Sequence, residues 1–83
     1  EGVIIYRVAA DTPAARAGLR GVDRDANALG DVIVAANGKK IERLVDLTNE
    51  LDRAGVGKPV ELTVWRDGET RIVSLTTEDI GPR

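Results

Sequence analysis

Apolar and polar positions alternate along this chain with two distinct periods. Val3 to Val8 is a short β-branched apolar run bounded by Gly2 and by Asp11-Thr12-Pro13, which predicts a strand. Residues 12–19, T-P-A-A-R-A-G-L, predict a helix of one or two turns. Thr12 can cap it, Pro13 suits its first position and Gly18 can close it in the left-handed conformation. Residues 21–30 are polar and read as a loop, and Asp31 to Ala36 as a second strand. Asn37-Gly38 favours positive φ at both turn positions, so Lys39 to Ile41 should return as a short strand. Leu44, Leu47, Thr48, Leu51 and Ala54 recur at helical spacing with Asp46, Asn49, Glu50 and Asp52 between them, the pattern of an amphipathic helix. Val60, Leu62 and Val64 alternate with Glu61, Thr63 and Trp65. After the turn signal Asp67-Gly68, Arg71, Val73 and Leu75 alternate with Ile72, Ser74 and Thr76, and residues 77–83 read as a frayed tail. Aliphatic strands joined by hairpins, with two helices between them, predict an α+β, mostly β fold: a small, partly open barrel or sandwich capped by two helices.

Composition narrows the chemistry. The 83 residues make one domain, residues 1–83, with a formal charge of -2. There is one Trp, one Tyr and no Phe, so the core must be built from Val, Ile, Leu and Ala. The chain has no Cys and no His, and Ser74 is its only serine. A Ser-His-Asp, Cys-His or zinc-hydrolase site cannot be assembled from these residues, so no catalytic or metal-ligating set and no cofactor is expected. The charge balance argues against nucleic acid as a partner. The longest apolar runs, Val3 to Tyr6 and Val32 to Ala36, are far too short to insert across a membrane. Glu1 is not an initiator Met, and the chain reads as a piece of a longer protein.

Several side chains invite a sharper reading beside a structural one. Asp23, Asp25 and Asn27 occupy positions one, three and five of a calcium loop. Ala28 then stands where Gly is required and Val34 where a bidentate Glu is required, which favours a solvated loop. Lys39, Lys40 and Arg43 fit a solvated hairpin tip better than an anion site. Asp31 has no second carboxylate placed beside it by any motif and reads as strand-start structure. Tyr6 and Trp65 are expected to fill core or to cover a strand face.

Three local sequences, in order and correctly spaced, resemble the PDZ domain in its permuted bacterial form. Residues 12–19 are similar to the family's S-P-A-x-x-A-G-L helix. Residues 30–39, G-D-V-I-V-A-A-N-G-K, are similar to its G-D-x-I-x-x-x-N-G strand and turn. Residues 62–68, L-T-V-W-R-D-G, are similar to its L-T-V-x-R-D-G hairpin. The inserted loop at 21–29 resembles one branch of the HtrA/Deg trypsin-like serine proteases, although Ala28 departs from that branch's pattern. The resemblance implies a peptide-binding or regulatory module that recognises C-terminal or exposed apolar segments. Its partner would be a protease domain of the same parent chain, in the periplasm or cell envelope. Site-two metalloproteases and C-terminal processing proteases carry similar domains, and a non-protease adaptor in a secretion or assembly complex is a further alternative.

By the same resemblance, the groove-facing positions of the second helix are Leu44, Thr48 and Leu51. An aliphatic helical stripe also fits burial in the core, and the sequence leaves both readings open. No residues correspond to the family's carboxylate-binding loop and peptide-pairing strand, which would precede Val3. From this we expect weak binding of C-terminal peptides, and self-association through residues 3–8 along an open sheet edge.

Overall fold

The computed structural model describes residues 2–23 and 25–77. The elements are β1 (Val3–Ile4), α1 (Pro13–Arg16), β2 (Val32–Ala36), β3 (Lys39–Lys40), α2 (Leu44–Ala54), β4 (Pro59–Arg66) and β5 (Glu69–Thr76). All strand pairs are antiparallel, in the order β1-β2-β4-β5, with β3 paired to β2. The sheet is not closed, and two helices complete the predicted α+β fold.

The long hairpin follows directly from local sequence. Asp67 and Gly68 both take positive φ (52° and 84°), the turn that matches the twist of the flanking strands. The β4–β5 ladder then runs from Arg66↔Glu69 to Pro59↔Thr76. Alternation along β4 buries Val60, Leu62 and Val64 and leaves Glu61 and Trp65 outside. Asn37 and Gly38 make the equivalent turn between β2 and β3 (φ 49° and 80°). The core is Leu19, Ile33, Ala36, Ile41, Leu47, Val60, Leu62 and Val64, with Val3, Ile5, Val8, Ala14, Leu51, Val73 and Leu75 packed against it. It is aliphatic throughout, as the composition requires.

Three local expectations need correction. The run Val3 to Val8 forms a regular ladder only over Val3–Ile4. Beyond it the backbone bonds to a loop: Ile5 N–H donates to the Asp31 carbonyl and Val22 N–H to the Tyr6 carbonyl. A β-branched run specifies extended backbone, but the partner it meets decides whether a ladder forms. Tyr6 does not fill core, being 72% exposed, whereas Trp65 lies on the outer face of the sheet beside Val32 and Thr70. Thr77 is not frayed. Its N–H donates to Lys58 O, its carbonyl accepts from Gly57 N–H, and its hydroxyl donates to Gly55 O at 2.6 Å. The rest of the predicted tail, residues 78–83, lies outside the described residues.

The loop at 21–30 closes on itself through reciprocal backbone bonds between Asp23 and Ala28. An Asp23 carboxylate oxygen accepts from Ala26 N–H at 3.1 Å. Asp31, at the end of this loop, is fully buried and has a structural partner that no local motif announces. Arg66 grips it with two charge-assisted bonds, Nε to Oδ1 at 2.6 Å and Nη2 to Oδ2 at 2.7 Å. Arg20 N–H also donates to Oδ2, and Arg66 Nη2 donates to Gly18 O. One carboxylate thus ties the exit of α1, the start of β2 and the end of β4. The Arg66 hydrogen bonds, aided by the Arg20 amide, hold the Asp31 carboxyl below its ordinary 3.8 against the opposing effect of burial. The pair raises Arg66 in turn.

Candidate functional site: the flank of the second helix

The start of α2 is fixed by its own sequence. Asp46 reaches back so that its Oδ2 accepts from the N–H groups of both Glu42 and Arg43, each at 3.0 Å. These bonds hold the Asp46 carboxyl below the usual range. The helix ends at Gly55, whose φ of 91° lets the chain turn sharply, and Gly55 N–H still donates to Leu51 O. The segment after it is fastened to the end of β5 by the Thr77 bonds.

This junction leaves an open cavity of about 400 Å³. Pro13 contributes from α1, Leu51 and Asp52 from α2, Gly55 and Val56 from the turn, and Leu75 and Thr77 from the end of β5. Its surface is mainly apolar, and no Lys or Arg lines it among the described residues. Apolar concavities with a few polar groups at the edge are where side chains of ligands are held.

The three residues expected on the groove are separated by the structure. Leu51 is half-buried, packs on the core and lines the cavity. Leu44, about two turns earlier, is 63% exposed and outside the core. Thr48 is exposed, its hydroxyl donating to Val45 O at 3.0 Å within the helix. Successive helical steps of about 100° explain this. Leu47, Glu50, Leu51 and Ala54 fall on the inward arc, whereas Leu44 and Thr48 lie on its shoulder together with Asp52. Pro13, Val56 and Leu75 were missed because they come from three remote segments. The Gly-Val-Gly triplet at 55–57 was the one available signal: an apolar residue held between two turn-forming glycines stands out from the surface.

The residues that invited other chemistry lie elsewhere. Asp25, Asn27 and the hairpin lysines are exposed, and Lys40 pairs with Glu42 at 3.3 Å. A wider depression near Tyr6, Val22 and Asp23 is open and predominantly polar.

The sequence profile of the family described as "PDZ domain" matches residues 1–77. The chain belongs to the PDZ-domain family. Among relatives of this PDZ domain is "Protease Do-like 1, chloroplastic" of Arabidopsis thaliana, 35% identical over 80 residues, which cover 93% of this chain and 18% of that protein. Another is "Probable periplasmic serine protease do/HhoA-like" of Haemophilus influenzae, 31% identical over 90% of this chain and 14% of that protein. A "Probable periplasmic serine endoprotease DegP-like" of Halomonas elongata is 34% identical over 95% of this chain and 15% of that protein. The chain therefore spans less than a fifth of each of these proteases. The solution structure of GtR34C from Geobacillus thermodenitrificans shares the fold, with a TM-score of 0.71 at 24% identity, covering 94% of this chain and 79% of that one.

Proposed function

We propose that this PDZ domain is a peptide-recognition and regulatory module of an HtrA/Deg-type serine protease of the periplasm or cell envelope. In this reading it carries no catalytic group itself and engages C-terminal or exposed apolar segments of substrate proteins along the shoulder of α2. The observation that carries the reading is the apolar cavity at the α2–β5 junction, lined by Leu51 and Asp52 of the same helix whose Leu44 and Thr48 play no part in the core. Leu44, Thr48 and Leu51 form the helical wall, and an extended segment lying along it would place one side chain in the cavity. Among the described residues no cationic side chain lines that cavity, so a free terminal carboxylate adds little to binding by these residues. The open edge of β1 offers a weaker contact to a second copy, because only Val3 and Ile4 form regular ladder.

Val56 provides the test, since it lines the cavity yet is 64% exposed and outside the core. Val56→Glu is expected to weaken binding of a labelled, uncharged peptide amide with a central Leu by about tenfold or more, by desolvating a new carboxylate against the ligand. Its melting temperature should stay near that of the parent chain. Unchanged affinity, measured by fluorescence anisotropy, would remove the cavity from the binding site.

A further inference from the structure

We infer that the cavity selects an apolar side chain flanked by Lys or Arg, with the Asp52 carboxylate as the selecting group. This inference rests on the peptide-recognition reading above and adds the chemistry of the segment recognised. Asp52 is the only charged residue in the lining among the described residues. The other polar side chain there, Thr77, already donates its hydroxyl to Gly55 O. Asp52 is exposed and has no ion-pair partner among the described residues. Its neighbour Arg53 turns instead toward Glu50, at 3.7 Å.

An unneutralised carboxylate at the lip of an apolar cavity favours a cation on any chain that crosses it. A side chain seated in the cavity displaces water beside Asp52 and so strengthens its attraction for a neighbouring ammonium or guanidinium. In an extended segment the residues flanking the anchor leave the backbone on the opposite side. A long Lys or Arg side chain is needed to reach back over the rim, which Ala or Ser cannot do. Lys58 is the opposing influence. Its stem lies 3.8 Å from where a Cβ on Gly55 would stand, but Lys58 does not line the cavity and forms no ion pair with Asp52 among the described residues. The two charges predict opposite preferences, so the sign of the effect decides between them.

The experiment compares two labelled peptide amides, Gly-Ser-Lys-Leu-Lys-Gly and Gly-Ser-Glu-Leu-Glu-Gly, by NMR titration at low salt. The lysine peptide is expected to bind about two- to fivefold more tightly, the range of a rim ion pair. The difference should shrink in high salt, since screening acts on exposed pairs. Asp52→Asn should abolish the preference and Asp52→Lys should reverse it; both changes are at an exposed helical position outside the core. Equal binding of the two peptides, or a preference for glutamate, would overturn the inference and leave the peptide reading standing. Failure of both peptides to perturb any cavity residue would overturn the two together.

Discussion

Gly30→Ala is expected to cost at least about 3 kcal/mol and to lower the melting temperature by about 15 °C or more. The first added carbon would overlap the carbonyl oxygen of Ile5 and would lie 2.9 Å from Val22 N and 3.0 Å from Gly21 C. All three are backbone atoms, and their surroundings are pinned. Ile5 N–H is bonded to Asp31 O, Asp31 N–H to Arg20 O and Val22 N–H to Tyr6 O. No flexible side chain can move aside. A domain of this size holds roughly 4–12 kcal/mol in total, so the loss is a large share of its stability. Gly18→Ala is the control: Gly18 has φ of 84° and nothing within 4 Å of an added Cβ, so it meets strain without collision. Its cost should stay near about 1 kcal/mol. Thermal unfolding followed by circular dichroism compares the two, and equal melting temperatures would mean that the β1–loop approach is not as close as described.

The second large effect is at Asp31. Asp31→Ala leaves the largely buried Arg66 guanidinium without its two carboxylate bonds and strands the Arg20 N–H. Breaking one side of a buried pair costs about 3–5 kcal/mol. Because Arg66 is the last residue of β4 and keeps 12% of its side chain exposed, the lower end of that range is expected in urea unfolding. Arg66→Met combined with Asp31→Ala should recover part of the loss, since no unpaired charge then remains. The pair also sets the acid limb of stability. The folded carboxyl holds its proton less tightly than the unfolded one, so its contribution is complete above about 3.8 and is lost as pH falls below that value. Asp46 acts in the same direction through its two backbone bonds. Asp31→Asn should therefore be less stable than the parent chain at neutral pH and should lose less on acidification. A parallel decline of both proteins with acid would show that Asp31 is not the coupled group.

Much of the fold was legible because it is encoded locally. Asn37-Gly38 and Asp67-Gly68 fix their turns with two positive φ values each, and strict alternation in Val60, Leu62 and Val64 fixes the face of β4. The limits of α2 followed from its apolar spacing and from Gly55. What escaped depends on distant partners. Asp31 and Arg66 are 35 residues apart, and nothing near either residue names the other. The length of β1 is decided by the loop its backbone meets at Val22 and Asp31, not by its β-branched run. The candidate site was half legible for the same reason. The family resemblance implies Leu44, Thr48 and Leu51 on a helical stripe that equally fits core, but the cavity exists only where Pro13, Val56 and Leu75 converge on Leu51. Glu50 shows the limit of polarity as a guide: it sits on the inward arc of α2, nearly buried, with Arg53 beside it.

The central claim, that the shoulder of α2 and the cavity at its end hold a peptide, is tested most directly by amide chemical-shift mapping. The ¹⁵N-labelled chain would be titrated with the peptide amide Gly-Ser-Lys-Leu-Lys-Gly to millimolar concentration. Saturable shifts are expected at Leu44, Thr48, Leu51, Asp52, Val56 and Leu75, with residues 21–29 and the outer sheet face around Trp65 and Ile72 unmoved. Shifts confined to that outer face or to the loop, with α2 silent, would contradict the account.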